Sequence, residues 1–186
     1  MSLILASGSP RRRELLALIT KNFTVCASDV DESKIAADCP AHLAQALAVA
    51  KARAVEVQHP EDIVLGCDTV VECDGEVFGK PKDEADAARM LRALSGRTHL
   101  VHTGVCVCGG GKAAYCVETS RVHFAPIAEE DLLRYVRTPE PYDKAGAYAI
   151  QGHAALWCSG IEGCYYNIMG LPVHRTAQLL SQFMAL

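Results

Sequence analysis

Three arginines in a row, Arg11, Arg12 and Arg13, follow a Gly-Ser-Pro turn in the stretch ILASGSPRRRELLALI. Ser9 and Pro10 are helix-entry residues, because serine can cap and proline tolerates the first helical position. The first turn carries the positive end of the helix dipole and prefers carboxylates. Guanidinium groups there cost helix stability when nothing is bound. They gain when an anion sits against the free N–H groups that a strand, a glycine turn and a helix start present. Arginine then adds paired, charge-assisted hydrogen bonds to phosphate oxygens. A local conflict of this kind points to a polyphosphate ligand; the plainer alternative is three solvated arginines on a surface turn.

The second chemical feature is Asp68 in IVLGCDTVV. A carboxylate inside a continuous apolar run is expensive to bury, and Gly66 two residues earlier leaves room for a close approach. Such a carboxylate can bind a divalent metal or deprotonate a water; it can also cap a strand-end turn with Thr69. Lys51, four residues after Leu47, borders the apolar stripe of its helix, and Lys80 follows a hairpin in FGKP. Each lysine alone reads as a surface residue. Together with the arginines they balance the charge of a triphosphate. Asp29, Asp31 and Glu32 crowd into DVDES, either as a solvated loop or as a metal site shared with Asp68.

These residues must be positioned by a chain of 186 residues, half of them apolar, with a net charge of −4. That fits one compact domain over 1–186, or one domain with two lobes. The acidic balance argues against a dedicated nucleic-acid binder. No apolar run reaches the roughly 20 residues of a membrane span, and MSLILA is too short for a signal-peptide core. The nine cysteines are odd in number, lack CxxC pairs and sit in apolar runs. They read as reduced core residues of a cytoplasmic protein and argue against structural zinc.

LILA (3–6) is a short buried strand leading into a helix from Pro10 to about Ile19, and FTVCAS is a second strand. Pro40 opens a helix with a stripe of Leu43, Leu47, Ala50, Ala54 and Val57. DIVLGCDTVVECDGEVFGKP is a long strand, an Asp74-Gly75 turn and a return strand. Asp83 caps a helix carrying Ala87, Met90, Leu91 and Leu94, closed by Ser95-Gly96. Two long strands follow around a glycine turn in THLVHTGVCVCGGGKAAYCVETSRVHF. IAEEDLLRYVRT is a helix, GAYAIQGHAALWCSGIEGCYYNIMGLP carries strand and turn signals, and a last helix begins at Pro172. Alternation first and long hairpins later describe a mixed-sheet α/β protein.

The motifs LASGSPRRRELL, DVDE, AKARA, GCDTVV, GKPKDEADAARMLRALSGRTH, DKAGAYAIQG and YYNIMGLPV occur in the order found in the Maf family of nucleoside triphosphate pyrophosphatases. The chain resembles that family along essentially its whole length. The resemblance implies an elongated mixed β-sheet flanked by helices with a central cleft, similar to the fold of inosine triphosphate pyrophosphatases. It implies hydrolysis between the α- and β-phosphates with a divalent cation (Mg, Mn or Co), and a homodimer. On matching motifs, Asp68 is the general base. Ser9, Arg12, Arg13, Lys51 and Lys80 hold phosphates, and Glu32 helps Asp68 hold the metal. DKAGAYAIQG is similar to the subgroup acting on dTTP and UTP, which places specificity at Arg11, Thr69 and Gln151. Ala149 departs from the glycine usual there. A neutral amide at Gln151 can both donate and accept toward a uracil or thymine edge.

Two other classes fit parts of this pattern. A nucleotidyltransferase releasing pyrophosphate shares the strand–glycine–arginine start, which is similar to that of sugar-nucleotide pyrophosphorylases. A non-catalytic regulator of cell division or nucleic acids is a role also associated with Maf proteins, and the acidic net charge counts against its binding DNA directly.

Overall fold

The computed structural model describes the chain from Met1 to Leu186. Seven strands form one mixed sheet: β1 (Leu3–Leu5), β2 (Thr24–Val25), β3 (Ile63–Cys73), β4 (Glu76–Phe78), β5 (Thr98–Gly109), β6 (Lys112–Phe124) and β7 (Cys158–Glu162). The order is β2-β1-β3-β5-β6-β7, with β4 paired to β3. β1 runs parallel to β2 and β3, whereas β3, β5, β6 and β7 are successively antiparallel. Parallel neighbours need crossovers, and these contain α1 (Pro10–Leu16) and α2 (Pro40–Glu56). The antiparallel part is built from hairpins. Asp74 and Gly75 both have positive φ, 51° and 82°, as a two-residue type I′ turn requires.

The remaining helices are α3 (Glu84–Leu94), α4 (Glu129–Tyr135), α5 (Tyr165–Met169) and α6 (Val173–Leu180). Asp83 caps α3 as its position in the sequence suggests, accepting the Asp86 N–H at 2.8 Å. The apolar positions Ala87, Met90, Leu91 and Leu94 are all buried, in a core shared with Phe78, Val101, Phe124 and Trp157. A second core joins Leu3, Leu5, Leu15, Leu16, Leu65 and Leu180.

Four details differ from the sequence reading. The strand expected at FTVCAS shrinks to Thr24–Val25, both exposed, because it is an edge paired only to β1. α1 stops at Leu16 rather than Ile19. GAYAIQGHAALWCSGIEGCYYNIMGLP, which carries strand and turn signals, resolves into 3₁₀ turns at Ala145–Ala147 and His153–Leu156, the strand β7 and a helix, α5, that those signals do not include. The fourth is the buried face of α2, which is Ala44, Leu47, Ala48, Ala52 and Val55, whereas Val57 is 81% exposed. The cause is close approach. A Cβ on Gly66 would lie 2.3 Å from the Ala48 carbonyl oxygen, and one on Gly104 would lie 2.2 Å from that of Ala44. Helix backbone rests directly on β3 and β5, so alanines face the sheet, and Leu43 and Leu47 line the cleft described below.

His99 on β5 is sealed in the core. One ring nitrogen, Nε2, meets the Tyr148 hydroxyl at 2.8 Å, and Nδ1 has no partner. Burial pushes its pKa down to about 4, from 6.5. The unfolded chain therefore binds a proton that the native one refuses. Its contribution to stability is complete above pH 6.5 and is lost as pH falls toward 4. Denaturant melts at pH 7 and pH 5 are expected to differ by about 2 kcal/mol from this residue alone. In His99→Gln, which stays neutral at both, that part of the difference disappears.

Candidate functional site

A cleft of about 670 Å³ opens where the start of α1, the middle of β3, one face of α2 and the segment 143–151 meet. Arg11, Arg12, Lys51, Lys80 and Lys144 line it against three carboxylates, Glu32, Asp68 and Asp143. In a chain of net charge −4 this is a local excess of positive charge, which draws anions into the cleft.

Asp68 lies at the centre of β3 and is 7% exposed. The approach of α2 over Gly66 brings Lys51 down beside it. Lys51 Nζ donates to Asp68 Oδ1 at 2.5 Å and contacts Glu32 Oε1 at 2.7 Å. This ammonium is what makes a carboxylate tolerable within an apolar strand. Asp68 Oδ2 takes no donor from the protein. Glu32 opens a 3₁₀ turn at Glu32–Lys34 that Asp31 caps through the Ser33 N–H. Of the three acids in DVDES, only Glu32 reaches the cleft; Asp29 and Asp31 do not line it.

The three arginines go three ways. Arg12 points into the cleft and is held by three acceptors. Nε donates to the Gly170 carbonyl at 3.0 Å, Nη1 to Ser7 Oγ at 3.2 Å and Nη2 to Thr69 Oγ1 at 3.1 Å. None is a carboxylate, so its charge is oriented but not neutralised. Arg11 crosses to the far wall, where Nη1 donates to Asp143 Oδ2 at 2.7 Å. Arg13 is exposed and lines a separate cavity with Glu14, Lys21 and Phe23, on the other side of the Ser7–Pro10 loop. The structure thus does not place Arg13 in the cleft with Arg12, Lys51 and Lys80, the other residues expected to hold phosphates. Successive helix positions turn by about 100°, and one short helix cannot aim all three side chains into one cleft.

Ser9, Lys80, Thr69 and Gln151 all line the cleft. Ser9 stands at the N-cap of α1 without a capping bond, so its hydroxyl is free for a ligand. Lys80 is exposed and makes no ion pair. Thr69 is committed to structure on one side: its hydroxyl meets Thr103 Oγ1 at 2.9 Å, and Thr103 donates to the Asn167 carbonyl at 3.0 Å. Asn167 is fully buried and binds Val101 O and Ser120 Oγ through Nδ2. This buried chain fixes the residues that hold Arg12. Its one visible sequence signal is the lone Asn within YYNIMGL, to which no role was assigned. Nor was one assigned to Asp143 and Lys144, which stand in the quoted DKAGAYAIQG. The Gly170 carbonyl has no sequence signature.

The cysteines are all free, with Cys67, Cys73, Cys106 and Cys108 buried and the other five partly exposed. Beside the catalytic candidate, burial pushes the Cys67 thiol up to about 11, and its sulfur donates to the Gly170 carbonyl. Asp38, Cys39 and His42 bring three metal-type ligand atoms together at the start of α2, on the surface and outside the cleft. Within the cleft, Asp68 and Glu32 converge on one cation, Lys51 Nζ. Two carboxylates with no nitrogen or sulfur ligand suit a hard, oxygen-seeking ion that completes its shell with water and phosphate oxygens. The residues present thus fit a divalent cation carried with a phosphate substrate.

Sheet and cleft together define a mixed α/β protein with the architecture of Ham1 proteins. The structure is similar to the Ham1 protein of Staphylococcus aureus, with a TM-score of 0.58 and 13% identity, covering 99% of this chain and 100% of that one. It is likewise similar to a HAM1 protein from Coxiella burnetii, with a TM-score of 0.54 and 16% identity over 97% and 98% of the two chains. More specifically, the chain belongs to the Maf family: the family model described as Maf-like protein matches residues 2–183. A relative from Symbiobacterium thermophilum named dTTP/UTP pyrophosphatase is 54% identical over 97% of this chain and 93% of its own. One of the same name from Koribacter versatilis is 51% identical over the same shares. No helix is long and apolar enough to cross a membrane.

Proposed function

We propose that the protein is a nucleoside triphosphate pyrophosphatase that hydrolyses dTTP and UTP to the monophosphate and pyrophosphate. The observation that carries this reading is the shared cavity of Arg12, Lys51, Lys80 and Asp68, in which Arg12 and Lys80, without carboxylate partners, stand beside a buried Lys51–Asp68 pair. The names of the relatives supply the substrate class.

Phosphoanhydride hydrolysis needs positioning and charge stabilisation more than covalent chemistry. Arg12, Lys80 and the Ser9 hydroxyl hold phosphate oxygens. Lys51 fixes Asp68 through Oδ1, leaving Oδ2 to take the proton of the attacking water. Glu32 and Asp68 would hold a divalent cation such as Mg²⁺ or Mn²⁺, which when bound polarises phosphate oxygens and offsets charge on the leaving group. The arginine and lysines stabilise pyrophosphate as it departs.

The test is pyrophosphate release from a panel of triphosphates in water with no second substrate. Release from dTTP and UTP ahead of purine nucleotides is expected. A requirement for an added sugar phosphate would identify a nucleotidyltransferase and sink the proposal. A second expectation concerns Arg12. Lysine keeps the charge but lacks the planar fork that reaches three acceptors. Arg12→Lys should raise KM for dTTP about tenfold or more in steady-state assays, on the scale of one lost charge-assisted bond. Wild-type kinetics would show that charge alone suffices.

A further inference from the structure

We propose that the short turn Glu140–Asp143 is a positioning clamp for the base-recognising end of the cleft: Glu140 sets Gln151 and Asp143 sets Arg11. The inference rests on the nucleotide reading above and deepens it.

The cleft is divided by charge. Lys51, Asp68, Glu32 and Lys80 are ionic and suit phosphates. The stretch Tyr148–Ile150 is apolar and buried, and it ends in a neutral amide, Gln151. A pyrimidine ring needs an apolar surface and a few directional neutral partners, and this is the part of the cleft that offers them. The Gln151 side chain is exposed and makes no hydrogen bond within the protein, so its aim depends on the backbone that carries it.

That backbone is fastened by Glu140. Its carboxylate accepts the His153 N–H at 3.0 and 3.3 Å and the Tyr135 hydroxyl at 3.0 Å. It also packs on the Gly152 Cα so closely that a Cβ there would lie 2.1 Å from Glu140 Oε1. No cation pairs with this carboxylate; Lys144 Nζ binds the Glu140 backbone carbonyl instead, at 2.6 Å. A half-buried acid satisfied by two neutral donors, one of them the N–H two residues after Gln151 and the other the Tyr135 hydroxyl, is more than a turn needs to close.

Three residues on, Asp143 holds Arg11. Oδ2 accepts Nη1 at 2.7 Å, and the Asp143 carbonyl faces Nη2 at 3.4 Å. The contact bridges walls built on different cores, because α1 packs with Leu15 and Leu16 while Tyr142 and Ala145 pack against the Phe78 cluster. Asp143 Oδ1 also pairs with Lys144 Nζ, so two cations share this carboxylate. The pairing orients the Arg11 N–H donors, which suit a ring bearing two carbonyl oxygens. One turn therefore governs both the amide on one wall and the guanidinium on the other.

The test compares Glu140→Gln and Asp143→Asn with the wild type in the full chain. Two probes are used: dTTP, and inorganic tripolyphosphate as a base-free competitive inhibitor. Glu140→Gln leaves an amide N–H₂ facing protein donors, and KM for dTTP should rise at least about tenfold; Asp143→Asn should raise it about threefold. Both should leave kcat and the tripolyphosphate inhibition constant within about twofold. Asp143→Glu should restore most of the loss. Combining Glu140→Gln with Gln151→Ala should add nothing beyond Gln151→Ala alone, because residues acting through one another are non-additive. Additive losses, an equal loss of tripolyphosphate binding, or unchanged KM would overturn the clamp. A wild type that binds dTMP in calorimetry without hydrolysing dTTP would sink the pyrophosphatase reading instead. The same variants would then be compared by dTMP affinity, with the same expected ordering.

Discussion

Asp68→Asn is expected to lower kcat for dTTP by at least about a hundredfold, the lower end for loss of a general base, while KM stays level or falls. The substitution is informative because asparagine keeps the shape and the acceptor that Lys51 Nζ uses at Oδ1. Were Asp68 only an anchor for Lys51, the amide would serve nearly as well and the loss would be slight. What the amide cannot do is accept a proton from water at the position of Oδ2. Removing one negative charge from a cleft already rich in cations favours binding of a polyanion, so at saturating divalent cation, which offsets the lost metal ligand, affinity for substrate and pyrophosphate should hold or improve. A fall in kcat without a rise in KM is the signature of an interaction made in the transition state and not in the ground state. Steady-state rates with pyrophosphate detection, together with pyrophosphate affinity by calorimetry, read both parts. Turnover near wild type would remove Asp68 from the chemistry. A loss appearing wholly in KM would make it a binding residue.

Much of this was legible in the residues. A charged group inside IVLGCDTVV had to be either paired or functional, and the structure shows the pairing. The Asp74-Gly75 turn and the Asp83 cap follow from local chemistry and appear where the sequence puts them. Other features depend on distances that no local pattern encodes. The stripe on α2 was misplaced because hydrophobic spacing rewards bulk, whereas the helix is seated by the absence of bulk at Gly66 and Gly104. The sequence pattern of the arginine cluster does not distinguish its three residues. Its three side chains depend on Gly170, Asp143 and open solvent, partners up to 158 positions away. The stretch that opens with GAYAIQG carries both strand and turn signals. Gly146 and Ala147, with φ of 72° and 60°, break it into turns that face the cleft.

Gly66→Ala should be severely damaging, although it adds only a methyl group. The new Cβ would stand 2.3 Å from the Ala48 carbonyl oxygen and 2.7 Å from the Ala52 nitrogen. Both are backbone atoms of a regular helix, which cannot swing aside as a flexible side chain would. Either α2 lifts from the sheet or β3 bows away, and each opens the alanine-lined seam to loss of packing. Overpacking of this kind against backbone should cost about 3 kcal/mol or more, lowering Tm by roughly 6 °C or more for a chain of this size. The same displacement reaches the chemistry. Lys51 rides on α2 and Asp68 on β3, two residues beyond the altered position, so lifting the helix stretches the 2.5 Å contact between them. Protein that does fold should therefore show reduced kcat even below its melting transition. Gly79→Ala supplies the control, because nothing lies within 4 Å of its added Cβ, and it should melt within about 1 °C of wild type. If Gly66→Ala melts as Gly79→Ala does and keeps full activity, α2 is not seated on β3 as described. The route by which two glycines in the sheet bring a lysine to a buried aspartate would then be wrong.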